Sequence, residues 1–172
     1  MALILEDGTA PDGANSYATE AMADDYFDAR GNTTWTDSTD DKEAALIRAT
    51  AAIDAAYGSR FQGYRSNFRD QDLQWPRTGA YDNEGNIIAG DEIPQELINA
   101  TCEAAYRELT AVGSMMPDVE RGGDIRLVKA GTVAIEYGPG ASAYTTFTLI
   151  DAILAPILSA GNSEYSYRAS RG

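Results

Sequence analysis

The stretch Pro94–Val112, PQELINATCEAAYRELTAV, decides how the rest of the chain is read. Ile98, Cys102, Ala105, Leu109 and Val112 recur at alternating steps of four and three, which puts them on one face of a helix. Glu96, Asn99, Glu103 and Arg107 fall on another face. Pro94 suits the first turn, where its missing N–H would be unpaired anyway, and Gly113 suits the stop. Such a helix needs partners to pack on, and the sequence offers one on either side. The pattern predicts a central packed helix and assigns it no chemistry.

Upstream, the spacing predicts a first helix near residues 19–30. Thr19 is its N-cap and Glu20 is placed favourably in its first turn. Met22 and Tyr26, with Ala23 and Phe27, form the expected buried side, and Asp24, Asp25 and Asp28 face solvent. Trp35, alone in the polar connection 31–39, reads either as a hydrophobic plug folded back on the core or as an exposed interface anchor. A second helix is expected from Asp40 or Asp41 to Tyr57. It is rich in alanine, periodic at Leu46, Ile47, Thr50, Ile53 and Tyr57, and ends at Gly58. Ahead of these, Ala2–Leu5 reads as an edge strand or an arm. Asp7, Thr9 and Asp12 read as turn chemistry, because their order does not match a twelve-residue calcium loop.

Downstream of the central helix the period changes from helical to alternating. Ile125–Lys129 and Thr132–Tyr137 predict a β-hairpin near residues 125–137, with Ala130-Gly131 as its turn. An isolated hairpin is marginal in water, so it must pack on the helices or pair with another subunit. A last helix is expected over Thr148–Ser159, apolar nearly all round, with Pro156 kinking or shortening it. Residues 161–172 read as a tail that is frayed or orders on docking. The expected fold is therefore mainly α: one small helical bundle over residues 1–160, with a β-hairpin insertion and extended loops and termini.

Composition limits function. Twenty-seven Asp and Glu against thirteen Lys and Arg give a net charge of −14, which repels nucleic acid and anionic membrane except where basic residues cluster. Residues 1–47 hold eleven acids and two basic residues, whereas residues 48–90 hold five of each. With no histidine, Ser-His-Asp and Cys-His catalysis and His-bearing zinc sites are excluded. The single Cys102 cannot form an internal disulfide and lies on the apolar helix face. The opening MALILEDG is too short and too soon acidic for a signal peptide, and no apolar run reaches membrane-spanning length. The expectation is a protein made in the cytoplasm, with no catalytic residues, metal site or cofactor.

The segment 59–93 is the least regular. Phe61, Tyr64, Phe68 and Trp75 alternate there with Arg60, Arg65, Arg69 and Arg77. Interleaved aromatics and arginines suit a single-strand-binding face. They equally suit a loop pinned to its own core, or a subunit interface. Arg60, Arg65, Arg69, Trp75 and Arg77 are the candidate interface or anion-contact residues. Gly63, Gly79 and Gly85 are too dispersed for a phosphate-cradling loop, and Gly-x-x-x-x-Gly-Lys-Ser/Thr is missing.

A family resemblance rests on Asn15-Ser16-Tyr17, Asp25-Tyr26-Phe27, Ala29-Arg30-Gly31, the run Lys42–Thr50 and Trp75-Pro76-Arg77-Thr78-Gly79. Ile93-Pro94, Ala100–Glu103 and Asp151–Pro156 extend it. Over roughly residues 1–160 the chain resembles a family of small tailed-phage and prophage proteins, the head–tail connectors or adaptors. Its members are often labelled as resembling the primosomal DnaT single-stranded-DNA-binding protein. The connector resemblance implies a virion protein at the head–tail interface. It would form a ring, typically dodecameric, under the portal protein and join it to the next neck or tail-completion protein. Genomic DNA would pass through the ring without sequence-specific binding, and no membrane would be involved. Under that reading Leu149, Ile153, Ile157, Val133 and Ile135 are candidate subunit contacts, and Tyr165, Tyr167 and Arg168 a candidate docking tail. The label implies instead single-stranded-DNA binding in a phage or prophage replication module, for which the Arg60–Arg77 cluster is the available surface; the acidic composition favours the connector over this alternative.

Overall fold

A computed structural model describes residues 2–116, 127–130, 133–136 and 147–159. The fold is mainly helical with small antiparallel strand pairs. Helices α1 (Glu20–Asp28), α2 (Thr39–Tyr57), α3 (Gln95–Thr110) and α4 (Thr148–Leu154) carry the core. Strands β1 (Tyr64–Arg65) and β2 (Arg77–Thr78) pair, as do β3 (Ala80–Tyr81) with β4 (Ile87–Ile88), and β5 (Leu127–Ala130) with β6 (Val133–Glu136).

The starts of α1 and α2 follow from side-chain oxygens that accept otherwise orphaned amides. Thr19 accepts from Met22 N at α1, and Ser38 accepts from Asp41 N at α2. Alanines at 45, 49 and 52 of α2 and at 100, 104 and 105 of α3 are buried. Small side chains let two helix backbones approach closely, and α2 against α3 is the main helix contact. Helix α4 also packs on α3 and buries Ile150 and Leu154. Trp35 closes the α1 end as a core plug, its ring 5.1 Å from that of Phe27.

The central helix forms where expected, but its buried face is rotated. Leu97, Ala100, Thr101, Cys102, Ala104, Ala105 and Glu108 are buried, while Ile98 and Leu109 are only half-buried. Val112 lies beyond the helix and is 75% exposed. The cause is that α3 packs against α2, α4 and α1, so it buries a broad alanine-rich surface rather than a narrow stripe of large residues. Glu108 enters the core because its acceptors are used. Oε2 takes Arg48 Nε at 3.2 Å and Gly113 N at 2.8 Å, and Oε1 takes Met115 N at 2.9 Å.

Other expectations shift in detail. On α1, Ala23 and Phe27 are the buried pair, with Met22 and Tyr26 flanking them. Asp24 does not simply face water, since it accepts from Trp35 Nε1 at 2.7 Å and Lys42 Nζ at 2.8 Å. Ala2–Leu5 forms no strand beyond a single bridge, Leu5 to Ser16. Ala130 belongs to β5 and pairs with Val133, while Gly131 of the expected turn lies outside the described residues. Helix α4 ends at Leu154 and tightens into a 3₁₀ turn over Ala155–Ile157, with Pro156 inside it.

Candidate functional site

The irregular segment 59–93 is organised by one buried polar hub. Tyr17 is fully buried, and its hydroxyl donates to Asp54 Oδ1 at 2.7 Å. The same oxygen accepts from the backbone N–H of Gln74 (3.0 Å) and Trp75 (3.1 Å), and Asp54 Oδ2 also accepts from Gln74 N at 2.9 Å. The chain at 74–75 is thereby fixed to α2. Burial pushes the Asp54 carboxyl up to about 6, against the lowering pull of its hydrogen bonds and of Arg77 and Arg65. Burial, reinforced by the Asp54 charge, holds the Tyr17 phenol well above its ordinary range.

From that anchor Arg77 gathers the preceding loop. Its Nε donates to Gln62 O at 2.6 Å and its Nη2 to Gly63 O at 2.7 Å. Its Nη1 donates to Gln74 O and to Gln74 Oε1, both at 3.2 Å. A planar fork of donors meeting several carbonyls is a geometry that lysine cannot reproduce. Gly63 completes the approach: its φ is +67°, and a Cβ there would stand 2.4 Å from Thr78 O. Pairing of Arg65 with Arg77 and Tyr64 with Thr78 follows.

Residues 66–71 form a compact loop on this base. Ser66 N donates to Pro76 O, and the buried Gln71 side chain donates to Leu73 O and Pro76 O. Arg65 Nη1 donates to Gln71 O at 3.0 Å. At its outer end Phe68 has φ +53°, a conformation bulky residues rarely adopt, and is 69% exposed. Its ring stacks on that of Tyr64, itself 54% exposed, with centroids 6.0 Å apart and planes 16° from parallel. Arg69 beside it is exposed, as is Asp70.

The candidate residues of this segment therefore do not share one surface. Trp75 is fully buried, its ring edge-on to Phe61 at 5.7 Å between centroids, and Arg77 is a buried clamp. Both are removed from the expected contact face because closing the β1–β2 pair turns them inward. Arg65 is half-buried at the loop base and Arg69 is exposed at its tip. Arg60 is exposed, 5.4 Å over the Tyr57 ring and 4.0 Å from Asp151. Tyr64 and Phe68 are the residues the fold brings forward. Their alternation with arginine was the available signal, but nothing in it distinguished them from Phe61 and Trp75.

Among the other candidates, Leu149 is exposed and Ile153 half-buried on α4. Ile157 is 1% exposed within the core of its own subunit, next to Leu158, which bridges to Phe61, and this corrects its assignment to a subunit contact. Val133 and Ile135 lie in β6, opposite Ala130 and Val128. Tyr165, Tyr167 and Arg168 lie outside the described residues, with the rest of the tail. Cys102 is buried, and burial raises its thiol to about 12, so no thiolate is available near neutral pH. Among the described residues no group of acids and Cys could hold a metal, and no helix is long and apolar enough to cross a membrane.

No curated protein and no solved structure matches the chain. A family model described as "Putative DnaT-like ssDNA binding protein" matches residues 1–172. With the match running the length of the sequence, the chain belongs to this DnaT-like family.

Proposed function

We propose that this protein works by binding rather than by catalysis, and that its ligand is single-stranded DNA. Family membership directs the reading to that ligand. The observation that carries it is the reversal of charge at residues 60–69. In a chain of net charge −14, Arg60, Arg65 and Arg69 fall in ten residues without an acid among them. Phosphate contacts by a few such arginines supply sequence-independent, salt-sensitive affinity. Equilibrium titration of labelled single strands tests this. Binding is expected, and it should be lost on replacing Arg65 and Arg69 together by Ala. Equal binding by the double variant would remove this surface from the account.

A second reading is favoured by the remaining surface. The net acidity suits a conduit that does not grip DNA, and Leu149 stands exposed on α4 next to half-buried Ile153. Under this reading the chain is a head–tail connector that assembles as a ring beneath a portal, with α4 and the β5–β6 hairpin as subunit contacts. Electron microscopy of the protein mixed with portal-containing capsids tests it. A ring of density at the portal exit supports the connector, and absence of binding to those capsids counts against it.

A further inference from the structure

Neither the Tyr64 nor the Phe68 side chain belongs to the buried core. Phe68 caps no core and sits at the end of a loop already fixed from below by Gln71, Arg65 and Pro76. A phenylalanine held at positive φ with its ring in water is unfavourable on both counts, and glycine or asparagine would be the ordinary choice for such a corner. What the arrangement achieves is display. Two exposed rings lie near-parallel, with Arg69 beside Phe68 in sequence.

We propose that the outer face of this pair is a base-stacking platform, whose ligand is an unpaired nucleobase of a single strand. Arg69 at the tip and Arg65 at the loop base would serve the flanking phosphates. The inference rests on the single-stranded-DNA reading above and assigns it a contact point. A flat aromatic face suits a flat base, and every base has a π-face, so the contact is indifferent to sequence. Duplex bases are already stacked on one another, so the same face discriminates against double-stranded DNA. A peptide partner would gain little from a single flat ring without a pocket, because interface anchors act by filling desolvated pockets.

The test compares three probes by fluorescence anisotropy: an oligo-dT strand, an abasic strand of the same length, and a duplex. The proteins are the parent, Phe68→Gly and Tyr64→Ala. Both positions are exposed, and glycine accepts positive φ, so Phe68→Gly should melt at or above the parent's temperature. Each substitution is expected to weaken oligo-dT binding by roughly tenfold. Weak binding of the abasic strand should be unchanged by either. Variants that melt like the parent and bind oligo-dT equally well would overturn the platform while leaving single-strand binding in place. Equal losses on strand and duplex would overturn it too. If the parent binds none of the three probes, the functional reading itself fails, and the platform with it.

Discussion

Arg77 separates a structural arginine from a ligand contact most sharply. Its guanidinium serves Gln62 O, Gly63 O and Gln74 O, with Gln74 Oε1 in addition, from a buried position. A hydrogen bond to a charged group contributes about 1.5–3 kcal/mol, and a buried carbonyl left without a donor costs about 1–3 kcal/mol. Summing all of these overshoots, because water reaches the half-buried Gln62 and the exposed Gly63 once the side chain is gone. The expected cost of Arg77→Met is therefore about 3–5 kcal/mol, and Arg77→Lys recovers only part of it, since an ammonium cannot span the carbonyls at once. For a chain of this size 1 kcal/mol moves the melting temperature by about 2–4 °C, so Arg77→Met should lower it by about 6–20 °C. Thermal unfolding followed by circular dichroism measures this directly. An exposed anion-contacting arginine would change stability by no more than about 0.5 kcal/mol. A melting temperature within about 2 °C of the parent would therefore refute the clamp.

Three other outcomes are expected. The folded Asp54 carboxyl, raised to about 6, keeps its proton over a pH range in which the unfolded chain has lost it. Its contribution to stability is thus fully present below about pH 4 and is lost as pH rises to about 6, a change of about 3 kcal/mol. Asp54→Asn should remove that slope, so denaturant midpoints of parent and variant should converge, or cross in the variant's favour, from pH 4 to pH 7; a constant difference would contradict the buried hub. Glu108→Gln replaces one accepting oxygen by a donor facing Arg48, Gly113 or Met115, and should cost about 2–3 kcal/mol in chemical denaturation, whereas an unchanged midpoint would place Glu108 outside the core. Gly63→Ala forces a methyl group toward Thr78 O, at a position of positive φ, and should lower the melting temperature by several degrees. An alanine variant that melts like the parent would show that the loop does not close so tightly.

How far the sequence foretold this structure depended on whether the signal was periodic. Helices α1, α2 and α3 were legible because capping residues and apolar spacing are local, as Thr19 and Tyr57 illustrate. The face of α3 was misjudged because Ile98, Leu109 and Val112 outweigh alanines in any hydrophobic reading. Close packing against neighbouring helices instead selects Ala100, Ala104 and Ala105. Long-range polar pairing leaves no periodic trace. Tyr17 and Asp54 are thirty-seven residues apart and Arg48 and Glu108 sixty, and only the closed fold brings them together. The same limit governs the candidate site. Four arginines and four aromatics alternate between Arg60 and Arg77 with nothing local to rank them. The β1–β2 pairing turns Arg77 inward, and Trp75 is buried with it, while Tyr64, Phe68 and Arg69 stay outside. Positive φ at Phe68 had no sequence marker either, since phenylalanine is not a residue that announces it.

The central claim, that a local arginine surface on an acidic chain holds a single strand, is tested most directly by the salt dependence of affinity for an oligo-dT strand. Each phosphate neutralised on a single strand contributes about −0.7 to the slope of log K against log salt concentration. Engagement of two to three arginines among Arg60, Arg65 and Arg69 predicts a slope between about −1 and −2, reduced toward zero by the Arg65 and Arg69 substitutions. A flat or positive slope, as an unrelieved charge of −14 would produce, or no binding at low salt, would contradict it.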